Sequence, residues 1–228
     1  MNRAPNTAPL NPLPWVIWAL ALPMIAMEIV VSLGAGGIIG GDQGVGWRLD
    51  ALQRFAFSPP LMREMLDERL YPWQQMMRLV TYPFVHVSVT HTLFVVVIML
   101  AIGKMVGEVF RWWAVLLVFF GSGIVGALAF TMVPQLQSPL IGGYPPVYGL
   151  IGAFTFLLWV NLAAVGANKY RAFTMIGFLL GVQLLFALVI GGIWDWVADF
   201  AGFATGFLMS FVVSPGGWAR VREKLRQR

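Results

Sequence analysis

The sequence predicts an all-α, polytopic membrane protein, and three observations carry that prediction. Of the 228 residues, 59% are apolar and only 11% are charged, a balance outside the range of soluble domains. Apolar runs close to the ~20 residues needed to cross the hydrocarbon recur along the chain. The lysines and arginines between those runs are divided unevenly, as the positive-inside rule requires of a membrane bundle. One compact bundle accounts for the length and leaves little for a second domain.

Residues 1–12 (MNRAPNTAPLNP) are polar and proline-rich, which predicts a short disordered tail. The apolar run 13–34 exceeds a signal-peptide core and has no small-x-small cleavage site ahead of a soluble domain. It reads as a first span, interrupted by Pro23 and carrying Glu28. Further spans are predicted near 86–107, 112–133, 146–167, 172–193 and 194–213, the last two joined by a tight turn at Gly191-Gly192. That makes six helices in a membrane domain over 13–213, followed by a basic tail, 214–228. Between helices one and two lies a long loop, 35–80, with the stretches WRLDALQRFAF and LMREMLDERL on either side of Pro59-Pro60. Both fit amphipathic helices lying at the membrane interface, and equally an ordinary surface loop with helical pieces.

With the N-terminus in the cytoplasm, ten cations fall on that side: Arg3, Lys104, Arg111, Lys169, Arg171, Arg220, Arg222, Lys224, Arg226 and Arg228. Arg48, Arg54, Arg63, Arg69 and Arg78 fall opposite, all in or at the end of the long loop. N-in, C-in follows. The net charge of +5 therefore sits where anionic lipid is, and points to the bilayer rather than nucleic acid as partner. The chain has no cysteine, which removes disulfides, thiolate metal sites and cysteine nucleophiles. His86 and His91, five apart, lie on different faces of a helix and make a poor metal pair; no metal and no cofactor are expected. Nothing in the sequence sets an oligomeric state.

Three stretches stand out. Residues 141–154, IGGYPPVYGLIGAF, turn from a charge-free loop into an apolar helix, with Gly149 and Gly152 keeping its first turns thin enough for a close neighbour. Residues 78–95, RLVTYPFVHVSVTHTLFV, lead into the second helix. Residues 194–207, WDWVADFAGFATGF, place Asp195, Asp199, Gly202 and Gly206 on one helical face. Those small and polar residues should pack inward, against the start of helix four. An acid in a span costs roughly 2.5–3.5 kcal/mol on insertion scales and usually meets a partner or water.

Together these stretches, over roughly residues 73–210, resemble the rhomboid family of intramembrane serine proteases. The first is similar to its G-x-S-G-x-x-[YF]-G-x-x-G-A entry to helix four, the second to W-R-x-x-T-x-x-F-x-H-x-x-x-x-H-x-x-x-N, the third to A-H-x-[GA]-G-x-x-x-G. Arg78, Thr81, Phe84, His86, His91, Gly142, Tyr148, Gly149, Ala198, Ala201, Gly202 and Gly206 match; Tyr148 takes the family's aromatic position beside the base. Five positions depart. Tyr144 stands at the nucleophilic serine and Pro145 follows it, Asp199 stands at the general-base histidine, and Val95 stands at the asparagine that shares oxyanion stabilisation with His91. Met77 replaces the tryptophan before the arginine. The resemblance implies a six-helix bundle around a water-accessible cavity open to the non-cytoplasmic side.

The residues themselves argue against cleavage. No histidine follows position 91, so none comes from helix six, and a phenol of pKa ~10 opposite a carboxylate is a poor acyl-transfer pair. Asp195 and Asp199, one turn apart, are badly placed to share a proton across a scissile bond. Ser122 sits in a glycine-rich packing run, and Ser138 lies six residues before Tyr144. No residue is assigned a catalytic role. Two readings of Asp199 stand side by side: a clasp hydrogen-bonded to Tyr144, or a carboxylate facing a wet cavity. The resemblance implies a pseudoprotease that binds transmembrane segments of other membrane proteins without cutting them. It is expected as a multi-pass protein of a bacterial plasma membrane. The alternatives are an active serine endopeptidase with non-standard catalytic residues and a small-solute transporter, although no inverted repeat or matched broken helices support the last.

Overall fold

Helix boundaries follow from local chemistry. A computed structural model describes residues 12–190 and 196–215, and every regular element among them is helical. The first helix, α1 (Trp15–Ala35), begins after Pro14 and runs unbroken through Pro23, which corrects the expected interruption. Pro23 is exposed on the outer face of α1, where membrane helices accommodate a proline by small adjustments of the freed backbone groups. Glycines then turn the chain, Gly37 at φ 69° and Gly40 at φ 74°, conformations that only glycine adopts at little cost.

The long loop is built from short helices: α2 (Gly41–Gly44), α3 (Trp47–Phe55), α4 (Pro59–Glu68), α5 (Trp73–Met76) and α6 (Arg78–Thr81), followed by a 3-10 turn, Tyr82–Phe84. Pro59 and Pro60 open α4 rather than merely separating two helices, because a missing N–H costs nothing in a first turn. The loop is strapped to the bundle. Arg63 donates to the carbonyls of Thr131 (3.0 Å) and Leu136 (2.7 Å), satisfying the open C-terminal end of a spanning helix. Phe57 and Leu140 exchange two backbone bonds of 3.1 and 2.8 Å.

The remaining helices are α7 (Val89–Gly107), α8 (Trp112–Thr131), α9 (Tyr144–Ala164), α10 (Thr174–Ile190) and α11 (Trp196–Val213). Ser88 caps α7, its hydroxyl accepting from the His91 N–H at 3.2 Å. Among the described residues five helices, α1, α7, α8, α9 and α11, are long and apolar enough to cross a bilayer. The shorter α10 has 17 residues and corresponds to the fifth predicted span. The turn expected at Gly191-Gly192 and the position of Asp195 lie outside the described residues.

Helix α9 is the centre of the bundle. It starts at Tyr144, two residues before the predicted start, because Pro145 and Pro146 belong to its first turn. All nine residues from Pro145 to Ala153 are buried, which requires neighbours on every side. Glycine permits that approach. A Cβ on Gly152 would strike the Phe203 carbonyl, one on Gly202 the Pro145 carbonyl, and one on Gly206 the Gly149 carbonyl. Thus α9 and α11 touch backbone to backbone. The described part of α10 packs differently: Gly177 and Gly181 face open space and Phe178 is exposed.

Candidate functional site

The two positions that depart most from the family pattern come together. Tyr144 is the first residue of α9, and Asp199 lies in the first turn of α11. Gly202 packed on Pro145, together with Gly126 of α8 packed on Ala198 and Pro145, fixes these two helix starts against each other. Asp199 is 2% exposed. Its charge reaches three phenols: Tyr144, Tyr148 one turn along α9, and Tyr82 from the turn before α7.

Tyr82 is fully buried and donates its hydroxyl to the Gly123 carbonyl at 2.8 Å. Burial, reinforced by Asp199, holds its pKa well above the usual phenol value, so it stays a neutral donor. Sequence reasoning passed over Tyr82. The only available signal was its position inside a segment whose flanking residues match the family pattern.

Of the two readings of Asp199, the clasp would need a hydrogen bond from Tyr144. Tyr144 makes none with Asp199; its ring lies instead on His91, with centroids 5.1 Å apart and planes 19° apart. His91 in turn receives the edge of His86, centroids 5.1 Å apart at 89°. Both imidazoles pack on Gly142, whose φ of 90° and tight surroundings admit no side chain. Stacking between flat rings holds the Tyr144 phenol against the His91 imidazole.

His86 is 3% exposed, and neither of its ring nitrogens has a hydrogen-bond partner in the protein. Burial, then the neighbouring His91, lowers its pKa to about 4 against the opposing pull of Glu28. A neutral imidazole of that pKa is a weak base at pH 7. The Nε2 of His91 also has no partner. Val95, at the asparagine position of the family pattern, is fully buried and walls Gly143. It can give no hydrogen bond to a developing oxyanion. Pro145 and Pro146 lack N–H groups, so the first turn of α9 offers an anion little beyond the Tyr144 N–H.

Neither Ser122 nor Ser138 is hydrogen-bonded to a histidine. Ser122 is fully buried on α8 with its side chain against Gly149, and Ser138 lies exposed in the loop before α9. Arg78 donates to the Ala56 carbonyl at 3.1 Å and ties the end of the long loop to its middle. Among the described residues, no group of three or more His, Asp or Glu side chains could hold a metal ion.

Beside the two histidines sits a polar cluster whose partners the sequence did not reveal. Glu28 of α1 receives two bonds from Arg48 of α3, at 2.6 and 3.1 Å. It also accepts from Ser32 and from Thr92 at the start of α7, each at 2.7 Å. Arg48 further donates to the His86 carbonyl at 3.0 Å. The guanidinium therefore joins α1, the long loop and the histidine-bearing entrance to α7. Arg48 had been visible only as one of five cations on the non-cytoplasmic side. An acid inside the first span was the signal that a cation must reach it.

Comparison with known proteins supplies the family. The chain is 28% identical over 139 residues to a protein of Bacillus subtilis (strain 168) named "Putative rhomboid protease YdcA", covering 59% of this chain and 66% of that protein. A family model described as Rhomboid domain matches residues 73–216, well over half of the chain. With helices α7 to α11 inside that match and the site built from its three motif segments, the chain belongs to the rhomboid family.

Proposed function

We propose that this rhomboid-family membrane protein binds transmembrane segments of other membrane proteins without cleaving them. The observation that carries the reading is the absence, among the described residues, of any hydrogen bond between a hydroxyl and an imidazole. Acyl transfer by a serine-type route needs a nucleophile held by a base within hydrogen-bond reach. Here the residue at the nucleophile position is a phenol stacked on His91, and the residue at the base position is a buried carboxylate. The oxyanion environment is thinned as well, with Val95 unable to donate; loss of one such donor alone typically costs ~10²–10³ in rate.

We place both termini in the cytoplasm of a bacterial cell, with the protein in the plasma membrane. Three of the five arginines on the opposite side, Arg48, Arg63 and Arg78, are engaged in bonds within the protein, and this supports the orientation drawn from the cytoplasmic excess.

A photoreactive residue at position 144, in the full chain in native membranes, tests the proposal. Crosslinks to membrane proteins, together with no cleavage of a model transmembrane substrate and no fluorophosphonate labelling, are the expected results. The B. subtilis relative is named a protease, which favours peptide cleavage as a second reading. Labelling that disappears when Ser122 or Ser138 is replaced would decide for that reading.

A further inference from the structure

A groove of about 280 Å³ runs between α1 and α3, lined by none of the residues at the starts of α9 and α11. Met27, Val30 and Val31 of α1 form one wall, and Trp47 and Phe55 of α3 face them. Val31 and Met27 lie about 6 and 12 Å along the helix from its end at Ala35, so this wall is inside the span. Asp50 and Arg54, both exposed, line the same groove from α3. They are four residues apart on one helical face and opposite in charge, yet no ion pair joins them. Among the described residues neither side chain has a hydrogen-bond partner. Arg48, two residues before Asp50, is by contrast fully engaged with Glu28.

We propose that this groove binds a zwitterionic glycerophospholipid with a primary ammonium head group. The phosphate oxygens accept from Arg54, the ammonium donates to Asp50, and one acyl chain lies along Met27, Val30 and Val31. Charge complementarity selects this occupant: a purely anionic head group would meet Asp50, and a quaternary ammonium has no N–H to donate. A peptide is a poorer fit, because an extended segment needs partners for its N–H and C=O groups and both walls are helices with none to offer. The site is independent of client binding.

The test uses the full chain, delipidated in detergent, with native mass spectrometry and thermal unfolding. Phosphatidylethanolamine, phosphatidylcholine and phosphatidylglycerol of identical acyl chains are added separately. A single phosphatidylethanolamine adduct, retained about tenfold more tightly than the other two and raising Tm, is the expected result. Arg54→Gln and Asp50→Asn, at exposed positions, should each abolish the preference while leaving the lipid-free Tm unchanged. Equal retention of the three lipids, or a preference that survives both variants, overturns the proposal and leaves only annular lipid. The wild-type head-group comparison decides even if a variant fails to fold.

Discussion

Glu28 and Asp199 are both buried acids in membrane-spanning helices, and the bundle surrounds them in different ways. Glu28 answers a guanidinium and two hydroxyls drawn from α1, α3 and α7. Asp199 lies among three tyrosines at a seam where α9 and α11 already meet through glycine. The first acid is a structural hub: without its charge, three segments lose a common partner. The second sits at a seam where α9 and α11 already meet backbone to backbone, so the hold of that seam does not rest on its charge alone.

The sharpest way to break this contrast is to remove Glu28. Glu28→Ala leaves Arg48 without its counter-charge, and such losses cost about 3–5 kcal/mol. A large fall in the denaturation midpoint in detergent is expected. Replacing the pair together, as Glu28→Leu with Arg48→Met, should recover most of it; a double variant as unstable as the single one would remove the ion pair from the account.

Acid should weaken the same corner. The pKa of His86 lies near 4 in the folded state, against about 6.5 for an unfolded imidazole. Between those values the unfolded chain binds more protons, so the contribution is intact above pH 6.5 and is lost as pH falls toward 4, on the order of 3 kcal/mol. A urea series across that range reads the slope, and His86→Phe should flatten it.

On the other side of the comparison, Gly206→Ala should cost about 1–3 kcal/mol, because its Cβ has only the Gly149 carbonyl to push against. Gly177→Ala is the control. Its Cβ meets open space, and helix propensity alone favours alanine by up to about 1 kcal/mol. Equal losses at the two positions would deny that the α9–α11 contact is special. Smallest of all, Asp199→Asn keeps the shape and removes the charge, and a change within about 1 kcal/mol is expected. A loss matching that of Glu28→Ala would make the two acids equivalent.

Much of the bundle was legible because twenty-residue apolar runs have few other uses. The resemblance of the motif segments to the rhomboid pattern likewise implied that Tyr144, Asp199, Gly149, Gly202 and Gly206 belong to one neighbourhood, and helical spacing put Asp199, Gly202 and Gly206 on a common face. What the sequence withheld depends on three-dimensional choice. Whether Tyr144 reaches Asp199 or lies on His91 is a rotamer question that spacing cannot answer. Arg48 was indistinguishable from Arg54, six residues away, until the fold turned one inward and left the other in a groove. Pro23 misled because a proline predicts a break more strongly than a membrane helix needs one.

The unbroken burial of Pro145 to Ala153 bears on how the protein is made. That half of α9 carries two prolines, two glycines and a tyrosine, a poor surface to present to hydrocarbon alone. Its proper surroundings are α8 and α11, and α11 is the last of the three to be synthesised. Biogenesis must therefore shelter this segment, in the insertion machinery or against earlier helices, until the C-terminal helix arrives. A chain truncated before α11 would hold an unfinished slot rather than a smaller version of the same protein.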